Sequence, residues 1–269
     1  MTNLLLAGCG KMGGALLAGW LDRGLDPGNI VAVEPNAAAV AWAVDRGVKV
    51  VASPEEIAET FSPDVVMFAV KPQMMDAVVP AYGRFAQGST VFLSIAAGKT
   101  IGYFQGYLGV AAAIVRSMPN TPAAVRRGMT VACANPLVTP PARALCQNLL
   151  EAVGDVAWVD DEGLLDPVTA VSGSGPAYVF LLAESLAQAG VDAGLPADLA
   201  ARLARATVAG AGELLHQAAE TPETLRKNVT SPGGTTAEAL AVLMGPNGWQ
   251  KTISNAVAAA CKRSRELAG

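Results

Sequence analysis

Over the first 160 residues, short β-branched runs alternate with helical stretches, and that alternation leaves few folds open. Thr2–Ala7, Ile30–Val33, Val48–Val51, Val65–Val70, Thr90–Ile95, Ala112–Arg116 and Met129–Ala134 read as strands. Helices are expected over Lys11–Arg23, Ala37–Arg46, Pro54–Thr60 and Met74–Phe85, with Pro140–Ala152 later and Val156–Val159 closing the sheet. Each crossover must return over a face of the sheet, so the pattern calls for an α/β domain with a parallel sheet covered on both sides.

After Asp160-Asp161-Glu162 the strand signals stop. Ala/Leu-rich helical periodicity runs almost to the end. Breakers at Gly173-Ser174-Gly175-Pro176, Gly194-Leu195-Pro196, Thr221-Pro222, Ser231-Pro232-Gly233-Gly234 and Gly245-Pro246 divide it into five or six helices. One of them, Ala197–Ala219, carries Ala209-Gly210-Ala211-Gly212 in its middle. A helix-interior glycine costs about 1 kcal/mol relative to alanine, so close approach by another helix is the expected compensation. The chain thus divides into 1–160 and an all-α 161–269, joined tightly near residue 160.

Composition narrows the function classes. A net charge of −4 with no sustained basic run argues against a nucleic-acid partner held through phosphates. Mean hydropathy is +0.36, yet the apolar runs Val65–Val70, Leu108–Val115 and Ala177–Ala183 are far shorter than a spanning helix requires. Leu4-Leu5-Leu6-Ala7-Gly8-Cys9 lacks the basic and extended apolar regions of a lipoprotein leader, so a cytoplasmic location is expected. Cys9, Cys133, Cys146 and Cys261 stand singly and read as reduced packing residues. There is one histidine, His216, which excludes mechanisms that need two, and no metal site is expected.

Gly8-Cys9-Gly10-Lys11-Met12-Gly13 fits G-x-G-x-x-G directly after the first strand and directly before a helix. The first glycine permits the turn, the second lets backbone approach a pyrophosphate, and the third allows helix and strand to pack closely. Glu34 ends the second strand, where an acidic side chain can accept from a ribose 2′-hydroxyl and repel a 2′-phosphate. No arginine follows before Arg46, which leans the choice to NADH; Asn36 and Lys11 are the residues that leave NADPH open.

Four further strings stand out. Val70-Lys71-Pro72 and Arg116-Ser117-Met118-Pro119-Asn120-Thr121-Pro122 leave strands at the carboxyl edge of the sheet, where ligands bind. Ser172-Gly173-Ser174-Gly175-Pro176-Ala177-Tyr178 opens a helix of the second half. Thr230-Ser231-Pro232-Gly233-Gly234-Thr235-Thr236 precedes another, and its hydroxyls, free N–H groups and helix N-terminus suit a carboxylate.

Together with Ser94-Ile95-Ala96-Ala97-Gly98, these strings occur in order along essentially the whole chain, which resembles the pyrroline-5-carboxylate reductases. The resemblance implies a Rossmann-type dinucleotide-binding domain followed by an all-α dimerisation domain like the C-terminal domain of 6-phosphogluconate dehydrogenase. It implies hydride transfer from NAD(P)H to the cyclic imine Δ1-pyrroline-5-carboxylate, giving L-proline, in homodimers that in some relatives assemble further into decamers. Residue by residue, Ser231, Gly233, Gly234 and Thr235 would cradle the substrate carboxylate and Thr236 would bond the ring nitrogen. Gly8, Gly10, Lys11, Met12, Gly13, Glu34, Asn36, Ala69, Val70, Lys71 and Pro72 would hold the cofactor, with Met118 and Pro119 lining the nicotinamide pocket. A protonated imine is already electrophilic, which agrees with the scarcity of histidine.

Each assignment has a plainer reading. Thr236 could be a helix cap, Lys71 a solvated strand-end charge, and Arg116 the partner of a structural carboxylate. His216 and Tyr178 read as packing residues, Tyr178 in step with Leu181 and Leu182. Among rivals, β-hydroxyacid dehydrogenases need a catalytic lysine, and Gly173–Ala189 has none. For ketol-acid reductoisomerase the carboxylates Glu184, Asp192, Asp198 and Glu213 are too scattered. A cyclic-imine reductase with another substrate, or a non-catalytic NAD(P)-binding sensor, are the alternatives left.

Overall fold

The computed structural model describes residues 2–268, apart from the side chain of Ala268. Its strands are β1 (Leu4–Ala7), β2 (Ile30–Val33), β3 (Lys49–Val51), β4 (Val65–Phe68), β5 (Val91–Ser94), β6 (Ala113–Met118), β7 (Gly128–Ala134) and β8 (Gly154–Trp158). They form one sheet in the order β3-β2-β1-β4-β5-β6-β7-β8. The first six run parallel, with Leu4 opposite both Ile30 and Val65. The order reverses between β1 and β4, and such a switch point opens a crevice beyond the carboxyl ends of the strands.

One part of the sheet departs from the all-parallel expectation. β7 is antiparallel to β6, with Ser117 opposite Ala132. The link between them is short, residues 119–127 with a 3-10 turn over Thr121–Val125, and a parallel return needs a crossover of a dozen residues or more.

The helices of this part are α1 (Lys11–Asp22), α2 (Ala37–Asp45), α3 (Met75–Val78), α4 (Ile101–Leu108) and α5 (Pro140–Leu150). Two expected helices shrink. Pro54–Thr60 reduces to a 3-10 turn over Pro54–Glu56, and Met74–Phe85 splits into α3 and a 3-10 stretch, Val79–Phe85. Pro80 has no N–H to continue the α-helical ladder there. Conversely, α4 lies where no helix was expected. Gly102 and Gly106 weaken its propensity, while Thr100 caps it by accepting from the Tyr103 N–H at 3.1 Å.

Strand residues of alternating direction fill a core on each face. Leu4, Leu6, Met67 and Leu93 pack with Leu16, Leu17 and Trp20 of α1. Leu5, Val66, Phe68 and Phe92 pack with Tyr82 and Phe104 on the other side. Phe68 stacks on Phe104 at 5.5 Å between centroids, and the Trp20 indole donates to the Leu149 carbonyl at 2.8 Å. Trp20 Nε1 thereby ties α1 to the end of α5.

After β8 come α6 (Leu165–Val168), a π-helical turn (Thr169–Gly173), α7 (Gly175–Asp192), α8 (Ala197–Gln217), α9 (Pro222–Asn228), α10 (Thr235–Leu243) and α11 (Trp249–Ala268). By compactness the chain falls into two units. One takes in the chain up to Gly173 together with the segment from Cys261 onward, and the other is Ser174–Ala260. Among the described residues, no helix is long and apolar enough to cross a membrane.

The second unit is short of a core of its own. Among its described residues only Ala200 and Ala204 are buried, while Phe180 is 63% exposed, Leu214 66% and Val242 77%. Leu181, expected to extend a buried face with Tyr178, is likewise exposed. A Cβ built on Gly210 or Gly212 would meet nothing within 4 Å, so the small residues of α8 are not explained by a neighbour in the same chain. Contiguous apolar surface on this scale marks an interaction face.

Candidate active site

The glycine loop follows β1 and leads into α1, and its three glycines do different work. Gly8 sits at φ +91°, and a Cβ there would stand 2.6 Å from Val70 Cγ1. At Gly13 a Cβ would overlap the Gly8 carbonyl oxygen, so helix and turn can approach only because the side chain is hydrogen. Gly10 differs: its φ is −68°, which any residue tolerates, and a Cβ would meet nothing within 4 Å. Gly10 is also the N-cap of α1 and makes no side-chain capping bond, which leaves backbone N–H groups and the positive end of the helix dipole facing that open space. That combination fits a pyrophosphate.

Glu34 reaches across to this loop from the end of β2. Its carboxylate accepts from the Cys9 N–H at 2.9 Å through Oε2 and from the Asn36 N–H at 3.0 Å through Oε1. The side chain is therefore fixed at the loop and not free to swing into solvent. Burial, followed by the Glu34 charge, pushes the Cys9 thiol up to about 11, so it stays protonated and unreactive at neutral pH.

A cavity of about 520 Å³ opens beside the loop. Gly8, Gly10, Glu34, Ala69, Val70 and Lys71 line it with Ala7, so residues singled out just beyond the ends of three separate strands meet here. Lys71 is exposed and has no carboxylate partner among the described residues. Ser53, Met74 and Tyr82 also line the cavity and were not singled out from sequence; the strand-ending Ala52-Ser53-Pro54 was the available signal. Lys11 falls instead on an adjoining cleft with Trp42 and Arg46. Arg46 there is committed to Asp22 at 2.6 Å.

Met118 and Pro119 lie at the exit of β6. A Cβ on Gly173 would overlap Met118 Cε, so the thioether lies directly against the π-helical turn. Arg116, two residues before Met118, is buried and donates to Glu162 Oε1 at 2.8 Å, which also accepts from the Ile101 N–H at 2.8 Å. Its structural reading is the one the geometry bears out. His216 lies in the last turn of α8 and is exposed.

In the second unit, Ser231–Thr236 forms the entry to α10. Gly233 adopts φ +68°, Gly234 is the N-cap, and the Gly234 N–H donates to the Ser231 carbonyl at 3.1 Å. Thr236 is inside the first turn and caps nothing; the half-buried side chain makes no hydrogen bond among the described residues. Three hydroxyls, from Ser231, Thr235 and Thr236, are thus uncommitted at the N-terminus of a nine-residue helix. Such an arrangement can hold a carboxylate and place one further hydroxyl beside it.

Comparison with known proteins is consistent along the chain. Residues 162–267 match the family described as pyrroline-5-carboxylate reductase dimerisation, and residues 4–98 match NADP oxidoreductase, coenzyme F420-dependent. The chain is 39% identical to pyrroline-5-carboxylate reductase from Pseudomonas aeruginosa, covering 99% of this chain and 97% of that protein. It is 41% identical to the Synechocystis enzyme, covering 98% of each. Among solved structures, the reductase from Coxiella burnetii superposes with a TM-score of 0.92 at 34% identity, covering 100% of this chain and 99% of that one. The Plasmodium falciparum pyrroline carboxylate reductase with NADP bound gives 0.81 at 31% identity, covering 100% and 98%.

Proposed function

The chain belongs to the pyrroline-5-carboxylate reductase family, and from that premise we propose how its residues divide the family reaction, the reduction of Δ1-pyrroline-5-carboxylate to L-proline by NAD(P)H. The observation that carries the division is the entry to α10, where uncommitted hydroxyls and free backbone N–H groups converge in a chain with almost no histidine. Ser231, Gly233, Gly234 and Thr235 hold the substrate carboxylate against the positive end of the helix. Thr236 bonds the ring nitrogen. A protonated imine is a donor, so Thr236 Oγ1 accepts from it first; once C5 is reduced, the nitrogen gains a lone pair to which the same hydroxyl can donate. Protonation makes C5 electrophilic before the enzyme acts, so orientation and charge placement carry the catalysis.

Gly8, Gly10 and Gly13 with the N-terminus of α1 hold the pyrophosphate, and Met12, Asn36, Ala69, Val70, Lys71 and Pro72 flank the dinucleotide. Met118 and Pro119 line the nicotinamide end. When bound, the reduced dinucleotide supplies the hydride. Glu34, already fixed at the loop, keeps lone pairs for a ribose 2′-hydroxyl and opposes a 2′-phosphate, so NADH is the preferred cofactor. Assay of pyrroline-5-carboxylate-dependent cofactor oxidation tests this directly. The wild type is expected to give the higher kcat/KM with NADH, and Glu34→Ser to move the NADPH/NADH ratio up by about tenfold or more, equivalent to roughly 1.4 kcal/mol. A wild type that prefers NADPH would overturn the Glu34 reading, and binding of NADH without any turnover would point to the sensor alternative.

The exposed apolar faces of α7, α8 and α10 are covered, on this reading, by a second copy of the chain, and the family region 162–267 is where that contact lies. The protein is accordingly expected to run as a dimer or a multiple of dimers on dilute sizing. Phe180→Asp with Leu214→Asp should dissociate it, and a wild-type monomer would contradict the proposal. The same reading places the enzyme in the cytoplasm.

A further inference from the structure

Asn120 joins two segments that are far apart in sequence. Its Oδ1 accepts from the Met129 N–H at 2.9 Å, and its Nδ2 donates to Ser172 Oγ at 3.1 Å across 52 positions of chain. The direction of both bonds is forced. A backbone N–H can only donate, so the oxygen end of the amide must face Met129 and the NH₂ end must face Ser172. Ser172 Oγ is then an acceptor toward Asn120, and its own hydrogen must point elsewhere. Among the described residues the half-buried Ser172 hydroxyl donates no hydrogen bond, so its hydrogen is available to a ligand.

Ser172 belongs to the π-helical turn Thr169–Gly173, a local conformation that is rare and concentrated at functional sites. The next residue, Gly173, lies against the Met118 thioether, whose Cε would have to move to admit a side chain there. Asn120 itself follows Met118-Pro119 directly. The hydroxyl, the thioether and the amide are therefore held together at the exit of β6.

We propose that Asn120 is a positioning residue that polarises Ser172, so that the Ser172 hydroxyl donates a hydrogen bond to the carboxylate of the bound cyclic imino acid. The assignment rests on the reading above that Met118 lines the nicotinamide pocket. The carboxylate is the acceptor because a protonated imine nitrogen has no lone pair to offer. The bond exists before and after reduction, so its loss raises KM more than it lowers kcat.

Asn120→Asp separates this role from a merely structural one. The two side chains have the same shape, and a carboxylate still accepts from Met129. Its second oxygen, however, accepts from Ser172, which turns the Ser172 hydrogen inward. Ser172→Ala removes the donor outright. Both variants are expected to keep the wild-type melting temperature and KM for NADH, while KM for pyrroline-5-carboxylate and Kd for L-proline rise about tenfold. For Asn120→Asp alone, the variant-to-wild-type ratio of KM should fall back toward one as pH drops through the introduced carboxyl's titration, because the protonated acid donates to Ser172 as the amide did. Ser172→Ala should show no such recovery. A flat ratio near one for Asn120→Asp at every pH, or L-proline affinity equal in wild type and both variants, would overturn the proposal. A wild type that binds L-proline but fails to oxidise NADH would instead contradict only the reaction assigned above, since the affinity comparison still decides the role of Asn120.

Discussion

Gly10→Ala is expected to raise KM for NADH by about ten- to a hundredfold while leaving the melting temperature unchanged or slightly higher. The argument rests on the difference between neighbouring glycines. At Gly10 the backbone is in a conformation open to alanine, and the added methyl meets no protein atom within 4 Å. Removing glycine there also restricts the unfolded chain, an effect worth about 0.4–1 kcal/mol in favour of folding. On the proposed placement the methyl instead occupies space that the pyrophosphate needs, and overpacking of that kind costs about 1–3 kcal/mol. Gly13→Ala should behave in the opposite way, since its methyl overlaps the Gly8 carbonyl and the clash is present without any ligand. Destabilisation of about 3 kcal/mol is expected, seen as a fall of several degrees in Tm. Thermal melts of both apo proteins beside NADH titrations check the pair. If Gly10→Ala binds NADH normally, the open face of the loop is not where the dinucleotide lies.

Thr236→Val should lower kcat for pyrroline-5-carboxylate by about ten- to a hundredfold with KM for NADH nearly unchanged. Valine keeps the volume and branching of threonine and removes only the hydroxyl. That hydroxyl has no structural task here: Gly234 is the cap, and Thr236 makes no hydrogen bond among the described residues. On the proposed division of roles its loss falls on the reacting nitrogen, where one missing hydrogen bond in a desolvated site is worth about 1–3 kcal/mol. Rapid-mixing turnover measurements of wild type and variant decide it, and unchanged kcat would remove Thr236 from the chemistry.

What the sequence made legible follows from the range of the interactions. The glycine loop is local: its turn, open face and close approach are set by six consecutive residues, and all three appear as their spacing implies. Strand positions were equally plain, because a strand buried on both faces reads as a continuous apolar run. Helix lengths were less so. Periodicity carried Met74–Phe85 past Pro80, while Gly102 and Gly106 hid α4 behind a threonine cap. The reversal of β7 was readable in principle, since a link as short as residues 119–127 cannot make a parallel crossover, but strand propensity says nothing of direction.

The site was legible where residue type dictates role and obscure where it depends on distant partners. Glu34 was marked by its place after β2, yet its bonds to Cys9 and Asn36 needed the fold. For Arg116 the sequence left two readings, and the carboxylate of Glu162 decides between them. Asn120 carried no signal of its own, because its partner Ser172 is 52 positions away. The apolar surplus of the sequence also depends on a distant partner. With the dimerisation expected of the helical half it called for apolar faces covered by a second subunit, and on the single chain the second unit's apolar faces are exposed.

The central claim is that hydride passes from the dinucleotide held at the glycine loop to C5 of the cyclic imine. Turnover of pyrroline-5-carboxylate with NADH carrying deuterium in both C4 positions tests it most directly, with the product examined by mass spectrometry and NMR. The account predicts L-proline carrying one deuterium, at C5, formed in proportion to the cofactor oxidised. Proline without deuterium, deuterium at another carbon, or cofactor oxidation with no proline formed would contradict it.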